Sequence, residues 1–118
     1  MKLIATMIAA GFALTACASD KAGYTTPVDT DGNIDGEVAY NQSCAVCHDD
    51  GMLGAPRLGV PEEWQGRSSL WQAVLMEHAK EGYYDMPAKG GQVDLPEDVV
   101  NAAAEYMLET TFPDRPQD

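Results

Sequence analysis

Two cysteines and a histidine fall within five consecutive residues, Cys44-Ala45-Val46-Cys47-His48. In a helix this spacing brings both thiols onto one turn and sets the imidazole beside them, so the three side chains can hold one group. The surrounding segment, residues 36–112, is near the size of roughly 70–80 residues below which side chains alone make a marginal core. The motif therefore predicts a small fold that is completed by a bound group.

Three kinds of site use cysteine and histidine in this way. A zinc site would use Cys44, Cys47, His48 and His78, but structural zinc normally has a second paired ligand set. A thiol redox pair would need a strand–helix–strand setting, and the chain has no run in which apolar and polar residues alternate. The motif favours the third kind, covalent attachment of one haem c through Cys44 and Cys47 with His48 as an iron ligand.

A haem iron bound by one histidine takes its sixth ligand from elsewhere in the chain. The candidates after the motif are one histidine and four methionines: His78, Met52, Met76, Met86 and Met107. Two of the methionines fall in predicted helices, where packing is the commoner role, and His78 falls on the apolar side of a helix. Met52 is too close to His48 in sequence to cross easily to the opposite haem face. Met86, in a loop stiffened by Pro87, is therefore the predicted ligand.

The N-terminus has one positive charge, at Lys2, followed by an uncharged apolar run to Leu14. A membrane-spanning helix needs about 20 apolar residues, so this shorter run is typical of a secretory signal. The run ends in Leu14-Thr15-Ala16-Cys17, which resembles the bacterial lipoprotein processing box and implies cleavage before Cys17 and its lipidation. The alternative is ordinary cleavage after Ala18, because Ala16-Cys17-Ala18 fits the A-x-A rule, and this would release a soluble periplasmic protein.

These features divide the chain into four parts. We expect a signal peptide over residues 1–16, a lipidated cysteine with a flexible acidic linker over 17–35, one domain over 36–112 and a tail over 113–118. The linker is rich in Asp, Thr and Gly and has almost no large apolar side chains, so it cannot form a core. We therefore expect the protein to lie at the periplasmic face of a bacterial membrane.

Three segments of the domain have the spacing of amphipathic helices. The first runs from Gly36 to about Cys47, the second from an N-cap at Ser68 or Ser69 to Ala79, and the third from an acidic cap at Asp94 to about Thr110. We expect Trp64, before the second helix, to lie in a short turn of its own. The predicted fold is all-α, with three to four helices wrapped around one covalent haem.

Over residues 36–108 these features resemble a monohaem class I cytochrome c, close to the bacterial cytochrome c5 type. The resemblance implies that Gly36, which has no Cβ, allows the last helix to cross closely, with Ala103 and Tyr106 as its partners. It also implies that the carbonyl of Pro56 accepts the N–H of the proximal imidazole and fixes its orientation.

The resemblance extends to the second ligand and the haem edge. Met86-Pro87-Ala88-Lys89-Gly90-Gly91 is similar to the c5-type methionine loop. Trp64 and Arg67 stand where similar proteins direct a tryptophan and an arginine to the haem propionates, which makes Arg67 a candidate propionate partner. Tyr83 and Tyr84 are candidates to donate to a propionate or to pack beside the methionine. Many c5-type proteins have a further cysteine pair after this loop, and this chain has none, so it matches class I better than the subtype.

Charge and ligation together indicate the class of function. The net charge of −12, from 7 basic and 19 acidic residues, excludes a nucleic-acid-binding surface, which needs clustered Lys and Arg. Histidine and methionine at both axial positions predict a one-electron carrier without small-molecule substrate, not an enzyme. We expect redox protein partners with a basic docking patch. The alternatives are a haem-bearing subunit of a larger membrane oxidoreductase, and a haem enzyme or gas sensor with a labile sixth ligand.

Overall fold

The structure is a computed structural model that describes residues 24–65, 67 and 72–115. Within these ranges the chain forms five α-helices: α1 (Gly36–Ser43), α2 (Ala45–His48), α3 (Pro61–Trp64), α4 (Gln72–Glu81) and α5 (Glu97–Thr111). Single 3-10 turns, Met52–Gly54 and Ala88–Gly91, lie in the loops before α3 and α5. Apart from isolated bridges, the described residues form no strand, so the predicted all-α fold is confirmed. The described residues have five helices where three to four were predicted, because α2 and α3 are single turns that count as separate helices. None of the described helices has both the length and the apolar character needed to cross a bilayer.

The first predicted helix is divided at the start of the CxxCH motif. Asp35 caps α1, because its carboxylate accepts the backbone N–H of Val38 at 3.0 Å. Cys44 leaves regular helix geometry, with φ −117° and ψ −34°. Its carbonyl nevertheless accepts the backbone N–H groups of both Cys47 and His48 at 3.1 Å. The predicted first helix is therefore interrupted at Cys44, and α2 forms one further turn after it.

The two later helices begin and end differently from the prediction. The proposed cap at Ser68 or Ser69 lies outside the described residues, and α4 continues two residues beyond the predicted end to Glu81. The predicted acidic cap at Asp94 is wrong, because α5 begins at Glu97 with Pro96 as its N-cap residue. A proline disfavours helical geometry in the residue before it, so the helix cannot start earlier.

The core lies where α1 crosses α5. A Cβ on Gly36 would lie 2.5 Å from the carbonyl oxygen of Ala102 and 3.1 Å from the Cβ of Tyr106. The close approach is as expected, but its nearest partner is the Ala102 carbonyl, not Ala103. Beside it the rings of Tyr40 and Tyr106 have centroids 5.5 Å apart. The buried apolar cluster comprises Ala39, Tyr40, Leu95, Val99, Val100, Ala103 and Met107.

The segment before α1 is ordered and differs from the flexible linker expected there. Pro27 is buried, and Tyr24 and Ile34 pack against the core. The carboxylate of Asp29 accepts two backbone N–H groups, two and four residues further on, at 2.8 and 2.9 Å. These hydrogen bonds keep the pKa of Asp29 below its usual value. A side-chain-capped turn, the burial of Pro27 and the partial burial of Tyr24 and Ile34 therefore order residues 24–35.

Candidate haem-binding cavity

One apolar cavity of about 290 Å³ lies between the helices and the two loops. All five helices contribute to its walls, and α4 and α5 supply much of the apolar surface. The cavity is lined by every site residue that the sequence predicts within the domain: Cys44, Cys47, His48, Pro56, Arg67 and Met86. Cys17, the predicted lipidation site, lies outside the described residues. The fold thus brings together residues that are up to 42 positions apart in the chain.

His48 is held in one orientation by a buried hydrogen bond. Its side chain is on α2 and only 6% exposed. Its Nδ1 lies 2.7 Å from the carbonyl oxygen of Pro56, the contact that the family resemblance implies. A carbonyl only accepts, so Nδ1 donates and Nε2 carries the lone pair. Burial lowers the pKa of His48, partly offset by the Pro56 carbonyl, and so favours the neutral imidazole that binds metals.

The two thiols lie on the same cavity and are not joined to each other. Cys44 and Cys47 are both free and partly buried, and both line the cavity. Burial, together with the nearby Cys47, raises the pKa of Cys44 to about 11. The Cys44 thiol is therefore protonated at neutral pH, and both sulfurs are available for covalent bonds to a group in the cavity.

Trp64 packs its indole ring against the imidazole ring of His48. The indole and imidazole rings stack with centroids 5.7 Å apart and an interplanar angle of 14°. The indole N–H donates to the carbonyl of Arg57 at 2.8 Å, so this donor is already used within the protein and is not directed to a propionate. Arg57 in turn pairs with the carboxylate of Glu63. The stacking of Trp64 on His48 has no local sequence signal, because the two residues belong to different helices.

Arg67 lies on the cavity wall with part of its hydrogen-bonding capacity used. Its guanidinium donates to the backbone carbonyls of Glu63 and Gly54, at 2.8 and 2.9 Å. A guanidinium has five N–H donors in a planar fork, so these two bonds do not exhaust it. The side chain is fixed at the cavity while it keeps its positive charge, which suits an anionic group there. Its role as a propionate partner stays a prediction.

Met86 lies at the end of a tight turn on the opposite loop. The backbone N–H of Tyr83 donates to the carbonyl of Met86 at 2.9 Å, and the Met86 N–H donates back at 3.0 Å. Gly82, at φ +89°, lets this turn pack on the end of α4, since a Cβ there would lie 3.0 Å from the Met86 oxygen. The ring of Tyr83 stacks on His78 at 3.9 Å and 9°. Such a pair contributes about 0.5–1.5 kcal/mol beyond its buried area.

The other candidate ligands differ in their surroundings. Met52, Met107 and His78 also line the cavity, whereas Met76 is absent from its lining. Met107 belongs to the core at 8% exposure, and Met52 is 48% exposed. One face of His78 is covered by Tyr83. Lining the cavity therefore leaves four candidates, His78, Met52, Met86 and Met107, and ligation by Met86 stays a prediction.

Backbone strain in the described ranges concentrates at this cavity. Three residues other than glycine have positive φ: Leu53 at 53°, Tyr84 at 50° and Lys89 at 53°. All three line the cavity, and Leu53 and Tyr84 are 84% and 90% exposed. Left-handed geometry costs an ordinary residue roughly 1–2 kcal/mol and often marks a functional site. Sequence reasoning singled out Tyr84 only as a propionate donor or packing residue and did not single out Leu53, because neither tyrosine nor leucine favours positive φ.

Comparison with known proteins identifies the family. A family model described as cytochrome c oxidase, cbb3-type, subunit III matches residues 33–107. The chain is 44% identical to cytochrome c-551 of Halorhodospira halophila over 80 residues, covering 64% of this chain and 99% of that protein. It is 36% identical to cytochrome c-555 of Prosthecochloris aestuarii over 81 residues, covering 62% and 82%. It also superposes, with a TM-score of 0.59 and 29% identity over 72% of this chain and 99% of the other, on a chain from a crystal structure of the electron transfer complex of nitrite reductase with cytochrome c.

The residues present fit the group that such proteins carry. Cys44 and Cys47 match the CxxCH motif, Nε2 of His48 has a lone pair to offer a metal, and the cavity between them is largely apolar. Covalent haem c accounts for two neighbouring cysteines that are not joined to each other, for a buried histidine that favours its neutral form and for a domain of a size at which a side-chain core is marginal. The chain therefore belongs to the family of small monohaem class I cytochromes c, with haem c attached through Cys44 and Cys47.

Proposed function

We propose that the protein is a one-electron carrier in which His48 and Met86 are the two axial ligands. The supporting observation is that both thiols, His48 and Met86 line one cavity. The bound haem iron supplies the Fe(III)/Fe(II) change. With both side chains bound to it, the iron would have no free coordination position for a substrate, and its reduction potential would be high.

A comparison of two methionine variants tests this ligation. Met86→Ala should lose the methionine-to-iron band at the far-red edge of the oxidised spectrum, and its reduced form should bind carbon monoxide readily. Met52→Ala is the matched control, because Met52 lines the same cavity; this variant should keep the band. Ready binding of carbon monoxide by the unmodified protein would instead favour a haem enzyme or gas sensor.

For the partner, we propose a redox protein with an apolar patch surrounded by basic residues. Leu53 and Tyr84 are largely exposed on two loops at the cavity, and the chain has a net charge of −12. Such charge accelerates association with a basic surface and does so less as salt screens it. The structural neighbour found in a complex with nitrite reductase supports electron transfer between docked proteins.

The docking surface is tested by electron-transfer rates at several ionic strengths. The rate with a basic redox partner should fall as salt rises. Tyr84→Ser should lower it further at every salt concentration without changing its salt dependence. Val93→Ser is the control, since Val93 is 72% exposed and is not part of the cavity lining. A rate that is independent of salt would contradict the basic partner.

We also propose that lipidated Cys17 holds the protein at the periplasmic face of a bacterial membrane. The support is the processing box at Leu14-Thr15-Ala16-Cys17, and two or more acyl chains anchor a protein stably. Cys17→Ser should move the protein from the membrane fraction to the soluble fraction. If the variant stays in the membrane fraction, Cys17 is not the anchor.

A second candidate function is that of a haem-bearing subunit of a larger oxidoreductase. The matching family model is described as a cytochrome oxidase subunit, which favours this alternative over an unrelated enzyme. Extraction in mild detergent separates the two possibilities. On size-exclusion chromatography of the extract, a free carrier should elute alone, whereas a subunit should co-elute with stoichiometric partners.

A further inference from the structure

We propose that His78 is a positioning residue for Met86: its ring fixes Tyr83, and Tyr83 fixes the turn that presents the methionine to the cavity. This inference rests on the proposed ligation by Met86. It assigns His78, a candidate ligand in the sequence, a different role. The inference depends on two successive contacts between α4 and Met86 and on the strained backbone of the turn that joins them.

The first contact joins α4 to the turn through two aromatic rings. His78 is in the last turn of α4, and its ring lies 3.9 Å from that of Tyr83 with an angle of only 9° between the planes. Tyr83 is 36% exposed, so its ring has solvent on one side and the imidazole on another. The stack therefore limits how far Tyr83 can swing away from the helix.

The second contact transmits this restraint to Met86. Two backbone hydrogen bonds join Tyr83 and Met86, at 2.9 and 3.0 Å, and close a turn with two residues between them. Because each of the two residues both donates a hydrogen bond to the other and accepts one from it, their backbones move together. Gly82 adds a close fit below the turn, since a Cβ there would lie 2.9 Å from the backbone nitrogen of Ala88. Displacement of Tyr83 would therefore displace Met86.

The third observation explains why the turn needs support. Tyr84, inside the turn, has φ +50°, a left-handed conformation that costs free energy in any residue with a Cβ. Its ring meets Tyr83 edge-on, with centroids 4.5 Å apart, and is otherwise 90% exposed. A strained turn at the surface tends to open unless tertiary contacts hold it, and the His78–Tyr83 stack is such a contact.

Displacement of Met86 by imidazole tests the proposal on the haem-loaded full chain. Added imidazole competes for the sixth position, and loss of the far-red methionine-to-iron band measures the displacement. His78→Ala should lower the imidazole concentration at half-displacement by about tenfold, the upper range for one aromatic pair. His78→Phe, which retains a ring for stacking, should stay within about twofold of the unmodified protein. Glu81→Gln, an exposed substitution on the same helix, is the control and should leave the titration unchanged.

Tyr83→Leu gives an independent test that leaves His78 in place and serves if His78→Ala does not accumulate. It should ease displacement as much as His78→Ala, and the double variant should add little, because both changes break one contact. The positioning role is overturned if His78→Ala titrates like the unmodified protein, or if His78→Phe loses as much as His78→Ala. Absence of the far-red band from the unmodified protein would instead overturn ligation by Met86 itself.

Discussion

The two sides of the cavity hold their candidate ligands in different ways. On one side His48 lies on a helix, is 6% exposed, and is fixed by a hydrogen bond from its own ring to Pro56 and by the stacked indole of Trp64. On the other side Met86 is only half-buried. Its backbone is held by hydrogen bonds to Tyr83 and by the fit over Gly82.

This difference predicts which side is rigid and which adapts. A ligand whose ring is hydrogen-bonded and stacked has one orientation, because any rotation leaves a buried N–H without its acceptor. A ligand on a strained surface turn can leave when a competitor binds, since the turn opens at small cost. We therefore expect changes on the His48 side to affect haem retention and stability. Changes on the Met86 side should affect mainly the sixth coordination position.

The largest expected difference is between His48→Ala and Met86→Ala. His48→Ala removes the ligand that the CxxCH motif places beside the attachment site, and we expect little haem-loaded protein to accumulate. Met86→Ala should accumulate in amounts near those of the unmodified protein, because the thioether bonds and His48 remain. Haem absorbance per unit of protein after purification measures the contrast. Equal losses in the two variants would mean that the sides are equivalent.

The Met86 side is tested more finely by Gly82→Ala. A Cβ there is strained at φ +89° and would lie 2.9 Å from the Ala88 nitrogen and 3.0 Å from the Met86 oxygen. We expect a loss of stability of more than about 1–2 kcal/mol, the cost of left-handed geometry alone, together with a weaker far-red band. Thermal unfolding and the oxidised spectrum measure the two effects.

Gly54→Ala is the matched control for this prediction. Gly54 has φ +80°, and nothing lies within 4 Å of its Cβ position, so the substitution adds strain without a clash. It should lower stability by about 1–2 kcal/mol and leave the far-red band intact. A weakened band in Gly54→Ala would show that strain anywhere around the cavity disturbs the sixth ligand.

The same contrast explains how much the sequence could predict. On the His48 side the two cysteines and the histidine follow from a motif of five residues. The family resemblance implies the Pro56 contact, whereas the stack of Trp64 on His48 has no local sequence signal. The all-α class also follows from local spacing, and so does the single turn at Trp64. The break at Cys44 does not, because a one-residue departure from helix geometry leaves the apolar spacing unchanged.

The contacts around Met86 were beyond sequence reasoning for a physical reason. The stack of His78 on Tyr83 depends on how the chain reverses after α4, and apolar spacing carries no information on that reversal. The positive φ of Tyr84 contradicts the preference of tyrosine, so propensity predicts the opposite. The order of residues 24–35 was missed similarly, since a polar composition concealed Tyr24 and Ile34, which pack against the core, and the buried Pro27.

Trp64→Phe tests the rigid side at a smaller scale. The change keeps a ring against His48 but removes the indole N–H that donates to the Arg57 carbonyl at 2.8 Å. Loss of one such hydrogen bond costs about 0.5–1.5 kcal/mol, and we expect denaturant unfolding to show a decrease of that size. The far-red band should not change, because the substitution is on the His48 side. If the far-red band weakened while stability stayed unchanged, Trp64 would act on the Met86 side of the cavity and not on the His48 side.

The smallest expected effect comes from Glu63, at the outer edge of the His48 side. Its carboxylate accepts the backbone and side-chain N–H groups of Arg57 at 2.8 Å, and the side-chain bond is the main reason that the pKa of Glu63 lies below its ordinary value of 4.5. A carboxyl group whose pKa is lower in the folded than in the unfolded state stabilises the fold above the unfolded value. That stabilisation is lost as the pH falls through the folded value.

Glu63→Gln should therefore lower the melting temperature slightly at pH 7, and the difference from the unmodified protein should shrink as the pH falls below about 4.5. The effect is small because both side chains are partly exposed, at 50% for Arg57 and 30% for Glu63, where solvent screens an ion pair. Melting temperatures of both proteins between pH 7 and the acid limit of folding measure the trend. A difference in melting temperature that grows toward low pH would contradict this prediction. It would mean that the protonated form of Glu63 is the one that stabilises the fold.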